Sequence, residues 1–166
     1  GRLLDHTLEV CQALWRDERA DYSSDELSFS GIHAMPKPLQ PGGVPIWVSG
    51  TVNARVARRI ASFGSGWIPW GSAMADPATG IARMHELLDG LGHDPAGLQV
   101  TGSIPVVRSD DGIDLAATMA GAPVLLDAGV TDCRISVRVP GDRDAATEYL
   151  ATVVAAFDTA TGRTPR

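Results

Sequence analysis

Ser49-Gly50-Thr51-Val52-Asn53 joins a short apolar run, Val44 to Ser49, to a segment of helical periodicity. Residues of these types at such a junction suit the holding of an anion. Backbone N–H groups at a helix start have no partner within the helix, and the helix dipole adds positive potential there. Gly50 permits close approach of a ligand to the backbone, and the Ser49 and Thr51 hydroxyls and the Asn53 amide add donors. The ordinary alternative is a plain strand-to-helix turn, with Thr51 as N-cap and Gly50 present for conformation. Two further residues qualify for a cavity: Trp70, at the end of the next apolar run, and Arg138, near the end of the last one. No set of residues reads as a catalytic acid, base or nucleophile. His6, His33, His85 and His93 do not share metal-ligand spacing, so zinc and iron are not expected.

The elements that must position these residues follow from periodicity. Leu4, Leu8, Cys11 and Trp15 fall on one face, so residues 3 to 16 read as an amphipathic helix. Residues 17 to 44, with three prolines and two glycines in Pro36-Lys37-Pro38-Leu39-Gln40-Pro41-Gly42-Gly43, read as an extended loop. Val44 to Ser49 is the first strand. Val52, Val56, Ile60 and Phe63 mark the helix after it, with Gly64 expected as a left-handed cap. Gly66 to Trp70 is a second strand, with Trp67 and Trp70 expected on one face. Asp76-Pro77 starts a helix carrying Ile81, Met84, Leu88 and Leu91, closed by Gly92. A third strand spans Leu98 to Val107. Helical segments run from Asp114 to Met119 and from Pro123 toward Asp127. Alternation of Cys133, Ile135, Val137 and Val139 against Arg134, Ser136 and Arg138 marks a fourth strand, and a last helix follows Asp142 or Asp144.

Strands separated by helices predict parallel pairing, because parallel strands need long crossovers. The fold class is therefore α/β: a leading helix and four βα units. Eight strands are needed to close an ordinary barrel, so four make either an open parallel sheet or half of a larger cylinder. In the second case Arg138 points into the cylinder's mouth, where its charge requires an anionic partner, and a salt bridge is the simplest one. The chain of 166 residues reads as one domain, residues 1–166.

Charge and composition exclude several roles. The net charge is −6, with thirteen of the fourteen basic side chains being arginine, so no positive field favours nucleic acid or an anionic membrane surface. Arg55, Arg58 and Arg59 read as a solvated helix face. Cys11 and Cys133 have no CxxC spacing and read as buried free thiols, which suits a reducing cytoplasm. No apolar run reaches membrane-spanning length and no signal pattern opens the chain. Gly64-Ser65-Gly66 follows a helix and precedes a strand, the reverse of a dinucleotide-binding turn.

Glu9-Val-Cys-Gln-Ala-Leu-Trp15, the Pro36-x-Pro38-x-Gln40 loop, Pro45-Ile-Trp-Val-Ser-Gly50 and Gly64-Ser-Gly-Trp67 together resemble the C-terminal half of the luciferase-like monooxygenase family, in particular its coenzyme F420 branch. The resemblance is specific from Leu4 to about Trp70 and continues to about Phe157 as matching element order. It implies a partial (β/α)8 TIM barrel, with these strands as the fifth to eighth, and an absent N-terminal half that holds most of the ring pocket and the catalytic side chains. It implies that Ser49, Gly50, Thr51 and Asn53 hold the phosphate of coenzyme F420, or alternatively FMN. A small organic substrate, and a homo-oligomer or a complementary N-terminal half as partner, complete the expectation. A non-catalytic βα half-domain binding an anion or a partner chain is the rival. A flavodoxin-like receiver would need an acidic cluster, for which Ser109-Asp-Asp-Gly-Ile-Asp114 is the single candidate patch.

Overall fold

The computed structural model describes residues 1–40, 43–110 and 112–164. Helix α1 (Arg2–Arg16) opens the chain. Its C-terminal carbonyls are met by the lone lysine: Lys37 Nζ donates to the Leu14 and Asp17 carbonyls, which ties the following loop back onto the helix end.

The segment expected to be an extended loop contains an antiparallel hairpin, β1 (Ala20–Ser23) and β2 (Ser28–Ile32). The polar run Ser24-Asp25-Glu26 hides it from a hydropathy reading, yet it is turn chemistry. Ser24 Oγ accepts from the amides of Glu26 and Leu27, and Tyr22 stacks on Phe29 across the ladder at 5.8 Å. Pro41 and Gly42 of the proline-rich loop lie outside the described residues.

Four parallel strands form the main sheet: β3 (Trp47–Gly50), β4 (Gly66–Pro69), β5 (Gln99–Ser103) and, after two minor strands, β8 (Asp132–Arg134). They lie in chain order. A doubly wound sheet reverses its strand order about a central crossover, whereas monotonic order is the winding of a barrel arc. Helices α2 (Ala54–Phe63) and α4 (Pro77–Asp89) pack Val56, Ile60, Met84 and Leu88 against Val48, Trp67 and Val100, which occupy one row of one sheet face. Between β4 and α4 stands a short helix not foreseen from periodicity, α3 (Ser72–Ala75). Helices α5 (Leu115–Met119), α6 (Ala122–Asp127) and α7 (Arg143–Thr161) build a second cluster around Met119, Ala122 and Val153. By strand alternation Ser49, Gln99, Ser103 and Arg134 take the opposite face of the sheet, and all four are exposed.

Several boundaries move for physical reasons. The first strand begins at Trp47, two residues after Pro45, which has no N–H for a ladder. Gly64 is extended, at φ −88° and ψ 141°, and a side chain there would meet the Ile60 backbone at 2.9 Å; close approach, and not a left-handed cap, calls for glycine. The α4 helix ends at Asp89, with Gly92 in the left-handed region two residues past its Gly90 cap. The third strand stops at Ser103, before Pro105. Beyond it β6 (Arg108–Ser109) and β7 (Gly112–Ile113) form a two-residue ladder; Asp111 of the acidic patch lies outside the described residues. The fourth strand stops at Arg134 because its neighbour β5 has ended, although burial still alternates through Ile135, Ser136, Val137 and Arg138.

Candidate functional site

The turn after β3 is built by its neighbours. Gly50 has φ +158°, and a Cβ there would lie 2.7 Å from Val56 Cγ2, so the approach of α2 to the strand end requires glycine. Its carbonyl is held twice, by the Trp70 amide at 3.2 Å and by the Trp67 indole N–H at 3.0 Å. Trp67 is fully buried and so cannot release that bond to water. The turn is therefore fixed before any ligand arrives.

Asn53, not Thr51, is the N-cap of α2. Its Oδ1 accepts from the amides of Arg55 and Val56, and its Nδ2 donates to Thr51 O and Thr51 Oγ1. The Thr51 hydroxyl thus keeps its own proton for another acceptor. Among the described residues, the backbone N–H groups of Thr51, Val52, Asn53 and Ala54 donate to no protein acceptor. Four unpartnered amides beside the exposed Ser49 and Thr51 suit a phosphate, and that donor set fits the phosphate of F420 or FMN equally well.

Across from the turn, Gly71 follows β4 at φ +64° and ψ −133°, a conformation open to glycine; a Cβ there would meet Thr51 Cγ2 at 3.5 Å. Thr51, Val52, Ser72, Ala73, Asp76 and Arg83, with Thr79 and Gly80, enclose a cleft of about 220 Å³. Asp76 caps α4: it accepts from the Thr79 amide at 3.2 Å, and the Thr79 hydroxyl and amide hold its carboxyl below the usual carboxylate range.

The remaining expected residues are placed differently. Trp67 and Trp70 are not placed alike: Trp67 is fully buried within β4, whereas Trp70 lies one residue past the strand and is 61% exposed. Arg138 lies four residues beyond β8 and is exposed, so its charge is solvated and needs no buried partner. The structure brings Ser49, Gly50, Thr51 and Asn53 together and leaves Arg138 on a separate segment. Of the three helix arginines, Arg59 leaves the solvated face to pair with Asp5 of α1, its side chain 12% exposed. That guanidinium is the main reason the Asp5 carboxyl sits below its ordinary range. Cys11 and Cys133 are free and half-buried, and burial pushes the Cys133 thiol up. Among the described residues no group of three or more His, Cys, Asp or Glu side chains could hold a metal ion, and no helix is long and apolar enough to cross a membrane.

Sequence reasoning missed Trp67 as the anchor of the Gly50 carbonyl, because nothing local links an indole to a carbonyl 17 residues back. It also missed Gly71 and Arg83; the Gly after Trp70 was the one available signal.

The family model described as luciferase-like monooxygenase matches residues 1–155. Uncharacterized proteins of Mycobacterium bovis and Mycobacterium tuberculosis are each 35% identical over 66 residues, which is 40% of this chain and 23% of theirs. Among solved structures, a monooxygenase from Streptomyces bottropensis is 18% identical with a TM-score of 0.49, covering 94% of this chain and 42% of that one. An F420-dependent secondary alcohol dehydrogenase in complex with an F420-acetone adduct is 15% identical with a TM-score of 0.49, covering 93% and 53%. A coenzyme F420 dependent tetrahydromethanopterin reductase from Methanopyrus kandleri is 14% identical with a TM-score of 0.48, covering 99% and 47%. The chain spans about half the length of these solved chains, and the matched stretch is under a quarter of the curated relatives.

Proposed function

The chain belongs to the luciferase-like monooxygenase family, and from that premise we propose that it is the C-terminal half of a coenzyme F420-dependent oxidoreductase whose phosphate is gripped at Ser49, Gly50, Thr51 and Asn53. The observation that carries this reading is the set of four unpartnered amides, Thr51 to Ala54, at the carboxyl end of a parallel strand. Barrel active sites form at that end. The resemblance to the deazaflavin branch over Leu4 to Trp70 supports F420 ahead of FMN.

When bound, the deazaflavin supplies hydride transfer to or from an organic substrate. The chain's own part is binding and orientation. Thr51 donates its hydroxyl proton and the turn amides donate theirs to phosphate oxygens. Asn53 keeps the helix start capped, so the turn does not reorganise on binding. The Trp67 indole and the Trp70 amide keep the Gly50 carbonyl hydrogen-bonded. Trp70, exposed just past β4, and Arg138 are the proposed walls of the substrate and cofactor cavity. The catalytic side chains are assigned to a complementary N-terminal half, and a cytoplasmic location goes with the free thiols.

The test joins this chain to an N-terminal half carrying four further βα units and titrates F420 and FMN separately by fluorescence. We expect F420 to bind, and Thr51→Val to weaken it by about tenfold, the worth of one charge-assisted hydrogen bond. Binding of FMN alone would convert the reading to an oxygen-activating monooxygenase. Binding of neither would leave the non-catalytic half-domain.

A further inference from the structure

The cleft between the Thr51 turn and α4 is lined by donors beyond those of the turn itself. Asp76, Thr79, Gly80 and Arg83 recur at i, i+3, i+4 and i+7, one face of α4, and face Thr51 and Ser72 across about 220 Å³. That space admits a phosphate or carboxylate with a few waters. Its one carboxylate is already engaged, since Asp76 accepts from Thr79 and sits at the positive end of α4. Arg83, by contrast, makes no ion pair and no hydrogen bond among the described residues, although Glu86 and Asp89 stand on its own helix. Ser72 Oγ is likewise without a protein partner among them. Two free donors from two segments, the start of α3 and the body of α4, face the Thr51 turn across one opening.

We infer that Arg83 and Ser72, across the cleft from Thr51, form a second anion subsite, taking a phosphate or carboxylate group beyond the one held by the turn amides and the Thr51 hydroxyl. For a bound cofactor this assigns the cleft to a charged tail; that clause rests on the proposed function, while the anion chemistry of the cleft does not. Arginine suits either group, since its planar fork meets two oxygens at once.

The test has two arms. In the first, inorganic phosphate is titrated into the chain and followed by amide chemical shifts. Saturable shifts at Ser72 and Arg83, weakened about tenfold by Arg83→Gln and several-fold by Ser72→Ala, are expected. Absence of saturable shifts at these residues, or the same affinity in Arg83→Gln, overturns the inference. Both variants sit on exposed or loop positions, and an unchanged urea midpoint checks that they fold. In the second arm, F420 with and without its oligoglutamate tail is titrated into the chain joined to its N-terminal half. A loss on Arg83→Gln confined to the tailed form assigns the subsite to the tail; no loss on either form, with the phosphate shifts still weakened, assigns it to a free anion; an equal loss on both forms places Arg83 on the cofactor's phosphate and overturns the second subsite. Failure of F420 to bind at all, with the phosphate shifts intact, sinks the cofactor reading and leaves this one standing.

Discussion

At the scale of single residues, the turn after β3 gives the N-cap to Asn53, where a plain-turn reading gave it to Thr51, and leaves the Thr51 hydroxyl proton free. Asn53 caps α2 through Oδ1, so Asn53→Ala should cost about 1 kcal/mol in urea unfolding. Asn53→Asp keeps an acceptor for the Arg55 and Val56 amides and should hold stability within about 0.5 kcal/mol. It places a negative charge beside the unpartnered amides, however, and so should weaken phosphate-bearing ligands in the same titration. Equal loss of stability in both variants would show that the cap is not what Asn53 supplies. Gly50→Ala puts a methyl 2.7 Å from a stiff Val56 branch and should destabilise by about 1–3 kcal/mol, read as a lower urea midpoint. The place of Gly50 and Thr51 at the strand-to-helix junction was legible because turn chemistry is local. The Trp67 bond to Gly50 was not, because it joins residues that only strand pairing makes neighbours.

At the scale of elements, α1 is fastened to α2 by Arg59 and Asp5 and to the loop by Lys37. The Asp5 carboxyl titrates below its ordinary value of about 4, so the unfolded chain binds a proton that the folded one does not. Its contribution is present above that value and is lost as pH falls through the lower folded one. The stability gap between the wild-type chain and Asp5→Asn, measured by urea unfolding, should therefore be constant near neutrality and close as pH drops below about 4. Asp5 is more than one-third exposed, so the gap is small. The helices α1, α2, α4 and α7 were readable because each carries a sustained apolar face; the Asp76 cap sits where the sequence places it, and of Asp142 and Asp144 the first is the cap of α7. The β1–β2 hairpin was not readable, since its strands are polar and its one stabilising aromatic pair spans a serine turn.

At the scale of the whole molecule, β3 and β8 are the margins of the sheet, and each carries backbone groups with no strand on its outer side. Such margins favour pairing. We expect the chain alone to self-associate in light scattering, and co-expression with a complementary four-unit half to yield a 1:1 particle of higher melting temperature. A stable monomer unaffected by that half would overturn the arc reading. The amino-acid sequence by itself determined the βα alternation, the parallel pairing it demands and the glycine-bearing turn after the first strand. These follow from periodicity and from side-chain chemistry within a few residues, so no distant contact is needed to read them. Tertiary structure alone decided where β8 stops, that Asn53 and not Thr51 caps α2, and that Arg83 stands across a cleft from Thr51. Each of those depends on what lies opposite in space, and a strand ends or a side chain is solvated according to neighbours that sequence separation conceals.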